Sequence, residues 1–148
     1  MAVRVQREDF DVGAELAALT AGRTDIGALT SFVGLVRDIG GGAMTLEHYP
    51  GMTEKELAAV EREAHARWKL SATLIVHRYG RLDPGDRIVL CAAASPHREA
   101  AFEACNFLID WLKTRAPFWK LEETPQGPKW VEAKADDDAA AERWKDRG

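Results

Sequence analysis

At 148 residues, 46% of them hydrophobic, the chain has the size of one domain spanning 1–148 and enough apolar surface for a sizeable core. A formal net charge of −4 argues against a general nucleic-acid or anionic-membrane surface while leaving room for a local basic pocket. No apolar run approaches the roughly 20 residues that span a bilayer, and the first ten residues lack a signal-like apolar stretch, so the expectation is a soluble cytoplasmic protein that binds neither nucleic acid nor membrane.

Strand and helix patterns alternate along the chain without repeats or a linker, which predicts a mixed α and β domain. Val3 and Val5 alternate with Arg4 and Gln6 as in an edge strand, and residues 12–19 form a short apolar helix. Residues 26–36 are a longer β run that ends in Arg37-Asp38 and a Gly40-Gly41-Gly42 turn, so Arg37 stands at a strand end. A strand over 44–49 follows. Thr53-Glu54-Lys55-Glu56 then reads as a capping box, with Met52 and Leu57 as its hydrophobic staple. Leu57, Val60, Ala64 and Trp68 continue one apolar face at helical spacing, which packs on a sheet rather than holding a ligand. His65 on this helix reads as exposed or hydrogen-bonded.

Residues 74–79 and 87–94 read as two strands of an antiparallel hairpin joined through Leu82-Asp83-Pro84-Gly85-Asp86. Ser95-Pro96 supplies an N-cap and a first-turn proline for a helix that runs to about Arg115, with Ala101, Ala104, Leu108, Trp111 and Leu112 towards the core. Cys91 and Cys105 lie in apolar contexts without CxxC spacing and read as buried free thiols of a reducing compartment, not as a disulfide or metal site. Pro117 cannot donate a backbone hydrogen bond and pushes Ala116 to extended geometry, so the helix carrying Lys113 stops and a strand over 118–123 carrying Lys120 begins. A Pro125-Gln126-Gly127-Pro128 turn, a short segment over 129–132 and a peripheral Ala-rich helix over 136–148 complete the chain.

Two lysines either side of a Pro-aromatic corner suggest anion chemistry. His97 and Arg98 add cationic donors where a helix N-terminus already attracts anions. Lys113 lies about 24 Å from His97 along a straight helix at 1.5 Å per residue, too far for both to touch one small phosphate. The pocket is therefore long, or shared between subunits. Neither a metal-protease array, a serine-nucleophile elbow nor a paired-Asp motif is present, which argues against a phosphate-ester hydrolase. A pure binding module for an extended Gly-Gly tail would need a groove but not both lysines.

Five blocks carry a family resemblance: residues 32–37 (FVGLVR), 46–55 (LEHYPGMTEK), His77-Arg78-Tyr79-Gly80 with Pro84-Gly85-Asp86, Ser95-Pro96-His97-Arg98 with Ala101-Phe102-Glu103, and 113–122 (KTRAPFWKLE) followed by Trp130. In this order they resemble the large, catalytic subunits of molybdopterin synthase. The resemblance implies an α+β domain of the α/β hammerhead type with antiparallel sheet. It also implies a homodimer that becomes a heterotetramer by binding a small ubiquitin-like sulfur-carrier subunit at each site. The implied reaction moves two sulfurs from the carrier's C-terminal Gly-Gly thiocarboxylate to cyclic pyranopterin monophosphate, giving the molybdopterin dithiolene without metal or cofactor. The family's substrate positions fall on Leu35, Val36, Arg37, His97, Arg98, Lys113, Lys120, Leu121 and Glu122, with Lys113 and Lys120 catalytic. Leu121 departs from the pattern, standing where a second basic residue is frequent.

A cyclic phosphate and a thiocarboxylate are both anions, so bringing them together in a partly dry pocket requires cations. The resemblance leads us to expect phosphate on Arg37, His97 and Arg98, and the carrier's terminal carbonyl near Lys113 and Lys120. Lys120 is then placed to protonate a departing oxygen or to stabilise an oxyanion, and Lys113 to do the same or to act as a transient nucleophile. Glu122 is expected to orient a lysine.

Overall fold

The computed structural model describes residues 2–38, 42–124, 127–131, 142 and 144. In chain order the elements are β1 (Ala2–Gln6), α1 (Val12–Thr20), β2 (Ala28–Leu35), β3 (Met44–His48), α2 (Met52–Arg67), β4 (Ala72–Arg78), β5 (Gly80–Leu82), β6 (Arg87–Ser95), α3 (Arg98–Arg115), β7 (Phe118–Thr124) and β8 (Gly127–Val131). The fold is α+β, as the sequence implied. Its strands form two four-stranded sheets, one in the order β1-β4-β6-β2 and the other β5-β3-β7-β8. Every pairing is antiparallel except β1 with β4, which makes the first sheet mixed. A parallel pair needs a long crossover, and the chain from α1 through α2 supplies it.

Strands β4 and β6 occupy the middle of the first sheet and are covered on both faces, which is why their sequences read as near-continuous apolar runs. Leu74, Val76, Leu90 and Ala92 pack with Phe10 beneath α1. Ile75, Val89, Cys91 and Ala93 face the other way, against Leu57, Val60 and Ala64 of α2 and Ala104, Phe107, Leu108 and Leu112 of α3. Phe107 has no exposed surface, and a buried side chain of this kind contributes about 1.5–3 kcal/mol relative to leaving it in water. A third cluster, Val36, Met44, Leu46 and Leu82, fills the space beneath the second sheet.

Several local expectations change. Helix α2 is capped two residues earlier than the Thr53 box predicts. Gly51 at φ +85° is the N-cap, and the Glu54 carboxylate accepts its N–H at 3.3 Å. Thr53 is instead fully buried, its hydroxyl donating to the Tyr49 carbonyl at 2.8 Å. The staple fails with it, because Met52 is exposed while Leu57 is buried. Helix α3 begins at Arg98 with His97 as N-cap, so Ser95 is the last residue of β6, where its hydroxyl donates to the Lys69 carbonyl at 2.9 Å. The hairpin of β4 and β6 is antiparallel as expected, but Gly80 at φ +92° turns the chain out into β5, an additional strand that joins the second sheet.

His65 is hydrogen-bonded, as one of its two readings held. Its Nε2 donates at 3.0 Å to the Thr73 hydroxyl, which donates in turn to the buried Glu61 carboxylate at 2.8 Å. Glu61 also accepts the Ala2 N–H at 3.1 Å, and burial pushes its carboxyl above the ordinary range. Both cysteines are buried free thiols, and burial raises Cys105 to about 11. Of the Gly40-Gly41-Gly42 turn only Gly42 is described. The helix expected over 136–148 lies outside the described residues, apart from Glu142 and Trp144. Trp144 is buried against Trp68 and Phe107, and its Nε1–H donates to Asp110 Oδ2 at 2.7 Å. Among the described residues no helix is long and apolar enough to cross a membrane.

Candidate functional site

The Pro117 corner forms as its chemistry dictates. Helix α3 ends with the Ala116 N–H donating to the Leu112 carbonyl at 3.3 Å, and Ala116 itself is extended at φ −69°, ψ 133°. Lys113 is therefore left in the last helical turn. Two residues after Ala116 the chain enters β7, an interior strand of the second sheet paired with β3 on one side and β8 on the other. Lys120 lies opposite Leu46 in that ladder, so its backbone is fixed by strand pairing on both sides.

Arg37 is brought to the same place by an irregularity. The β2–β6 register shifts between Gly34 and Leu35, passing from Gly34 opposite Val89 to Leu35 opposite Arg87. Such a bulge re-aims the side chains that follow it. Val36 then turns inward and is buried, held by its N–H donating to the Asp86 carbonyl at 2.8 Å and its carbonyl accepting the Gly85 N–H at 2.7 Å. Leu35 and Arg37, on either side, are left exposed. Gly34 allows close packing here, since a Cβ at that position would meet Val89 Cγ1 at 2.8 Å.

These elements enclose a cavity of about 510 Å³. Of the residues singled out from sequence, Leu35, Val36, Arg37, Lys113, Lys120 and Glu122 line it together. Leu121, His97 and Arg98 do not. Leu121 alternates with Lys120 and Glu122 along β7 and so belongs to the other face of that strand. His97 and Arg98 start α3, whose 18 residues separate them from Lys113. The His97 N–H donates to Ser95 Oγ at 3.3 Å.

The cavity also contains a residue that sequence reasoning passed over. His77 lies near the end of β4 and is only 5% exposed. It stacks on Phe118 of β7, with ring centroids 3.8 Å apart and planes 17° from parallel. Its Nδ1 lies 2.7 Å from the Arg78 carbonyl, and since a carbonyl can only accept, Nδ1 carries the proton. Burial drives the imidazole down to about 4, opposed by the Arg78 carbonyl and reinforced by the nearby charges of Lys113, Lys120 and His48. The ring is thus neutral at physiological pH. Period-2 alternation with Thr73 and Ile75 could have placed His77 on the α3-facing side of β4; the surrounding apolar run hid that position's polarity. Phe32, Phe118 and Trp119 add aromatic walls.

The family model described as MoaE protein matches residues 5–115 of this chain. The chain belongs to the MoaE family. It is 56% identical to the molybdopterin synthase catalytic subunit of Pseudomonas aeruginosa over 150 aligned residues, covering 99% of this chain and all of that one. Among solved structures, the molybdopterin biosynthesis MoaE protein from Burkholderia ambifaria superposes with a TM-score of 0.85 at 54% identity, over 98% of this chain and 99% of the other. A complex of subunits 1 and 2 of molybdopterin-converting factor from Helicobacter pylori contains the same fold, with a TM-score of 0.75 at 20% identity over 89% and 91% of the two chains. The MoaE match ends at Arg115, so Lys113 lies inside it, while Lys120 and Glu122 follow on the strand that the Pro117 corner feeds.

Proposed function

We propose that this MoaE protein transfers sulfur from the C-terminal Gly-Gly thiocarboxylate of a small ubiquitin-like carrier to cyclic pyranopterin monophosphate, twice, building the dithiolene of molybdopterin. The observation that carries the reading is the meeting of Arg37, Lys113 and Lys120, from three separate elements, on one cavity. Its volume of about 510 Å³ falls within the range of small-molecule sites. Both reactants are anions. Two unit charges 4 Å apart repel by about 4 kcal/mol at an effective dielectric of 20, and fixed cations offset that cost.

In this reading Arg37 holds phosphate at the rim. Lys120 donates to the oxygen that leaves, or that carries negative charge, when water releases the carrier; Lys113 assists from the helix side. Glu122, two residues from Lys120 on the same face of β7, orients a lysine. His97 and Arg98 come from a second copy of the chain, making the site a property of a homodimer with one carrier at each cavity. Exposed Leu29, Phe32 and Leu35 on edge strand β2, with Phe102 on α3, offer apolar surface for such assembly. A reducing cytoplasm suits both the free thiols and a thiocarboxylate donor.

The test is single-turnover product formation with pre-thiocarboxylated carrier. Lys120→Ala should nearly abolish product while leaving stability within about 0.5 kcal/mol, because a cavity lysine contributes little packing. Lys120→Arg should not restore full activity, since a guanidinium does not exchange its proton near neutral pH. Wild-type turnover in Lys120→Ala would remove the residue from the mechanism, and no turnover in the unsubstituted protein would overturn the reading.

A further inference from the structure

A cavity lined by Arg37, Lys113 and Lys120 is rich in donors, and most of its walls are apolar. Flexible ammonium groups in such a space need an acceptor to fix their direction, or they swing with whatever anion is present. Glu122 and Glu123 sit on β7 itself. One acceptor comes instead from the opposite sheet. His77 belongs to β4 in the first sheet, whereas Lys120 belongs to β7 in the second, and no ladder joins those two strands. The His77–Phe118 stack crosses between them, two residues before Lys120.

The hydrogen bond from Nδ1 to the Arg78 carbonyl fixes the tautomer, so Nε2 carries a lone pair. Among the described residues no donor is seen on Nε2, and His77 lines the cavity shared by both lysines. We infer that His77 is a positioning residue: its Nε2 accepts a hydrogen bond from a lysine ammonium of the cavity and holds it aimed at the reacting centre, while its ring anchors β7 through Phe118. The charged and titratable groups that face it are Lys113 from α3, Lys120 from β7 and His48 from β3, and their influence agrees with an imidazole that stays unprotonated. A neutral acceptor steadies a cation without cancelling its charge, which a carboxylate in the same place would do. The inference rests on the sulfur-transfer reading above and adds to it the group that orders the lysine.

Two substitutions separate the acceptor from the remainder of the ring. His77→Gln carries an amide oxygen out to the position of Nε2. His77→Asn can still donate to the Arg78 carbonyl but withdraws the far acceptor. Carrier binding and single-turnover rates are measured for both across pH, with unsubstituted protein alongside. His77→Asn should slow turnover by about ten- to a hundredfold, the scale of a misdirected catalytic group, and His77→Gln should recover most of it, with carrier affinity unchanged in both. Because an acceptor favours the ammonium form, the alkaline limb of the rate profile should move to lower pH in His77→Asn and return in His77→Gln. A folded His77→Asn with the rate and limb of the unsubstituted protein would overturn the inference. So would a rise in KM alone with the limb unmoved, which would make Nε2 a substrate contact, or a His77→Gln as slow as His77→Asn. Failure of the unsubstituted protein to form product would instead strike the sulfur-transfer reading.

Discussion

Lowering the pH should weaken this fold through His77, and the size of the effect follows from its burial. The imidazole titrates near 6.5 when free and is pushed down to about 4 in the folded protein, chiefly by desolvation. Between those values the unfolded chain binds a proton that the folded chain refuses, so stability is lost as pH falls from about 6.5 towards 4. At pH 5 the linkage relation gives a loss of about 2 kcal/mol relative to pH 7.5, growing to about 3 kcal/mol below pH 4. His65 shifts in the same direction, whereas Glu61, with its carboxyl raised, shifts in the opposite one, so a single curve would mix the three. The difference between the unsubstituted protein and His77→Gln isolates His77. Urea unfolding of both at pH 7.5 and 5.0 is the assay, and the unsubstituted protein should lose about 2 kcal/mol more than the variant over that interval. Parallel losses within about 0.5 kcal/mol would show that His77 is not desolvated as described.

Trp144→Ala should cost about 3–5 kcal/mol, since the indole is 2% exposed between Trp68 and Phe107 and hydrogen-bonded to Asp110; thermal unfolding with a loss below about 1 kcal/mol would mean the C-terminal region is not clasped to α2 and α3. Mixing Arg98→Ala and Lys120→Ala chains after denaturation and refolding should regain about a quarter of full turnover if each site draws Arg98 from a second copy, because half the dimers are then mixed and each of those has one intact site. No recovery, with mixed dimers verified by mass spectrometry, would exclude the shared site.

The elements that the sequence announced most clearly were those in which a single period dominates. Leu57, Val60 and Ala64 kept their helical face, and Pro117 ended α3 where the ring geometry requires. The mistaken starts of α2 and α3 share a cause: Thr53 and Ser95 have the chemistry of caps, but each hydroxyl is claimed by a distant carbonyl, Tyr49 or Lys69, once the chain is folded. Short β5 was missed because three residues carry too little pattern, and its partner β3 is distant in sequence. At the site, Lys113, Lys120 and Arg37 could be nominated from the resemblance, but only the fold brings three elements onto one cavity. His77 was quoted within a motif and left without a role because an imidazole's meaning lies in which nitrogen is occupied. That depends on the Arg78 carbonyl, which no spacing rule describes.

The bulge at Gly34 and Leu35 makes this stretch of chain a counting device. Along a strand each residue removed exchanges inside for outside, so deleting one residue between positions 33 and 36 would close the ladder on β6 without a break and leave secondary structure nearly intact. The mistake would appear only in phase: an aliphatic side chain would be turned to water, and a guanidinium would be directed at the apolar cluster of Met44, Leu46 and Leu82. Length here is therefore under tighter constraint than residue identity, and a library that varies the side chains at these positions should yield more working proteins than one that varies their number.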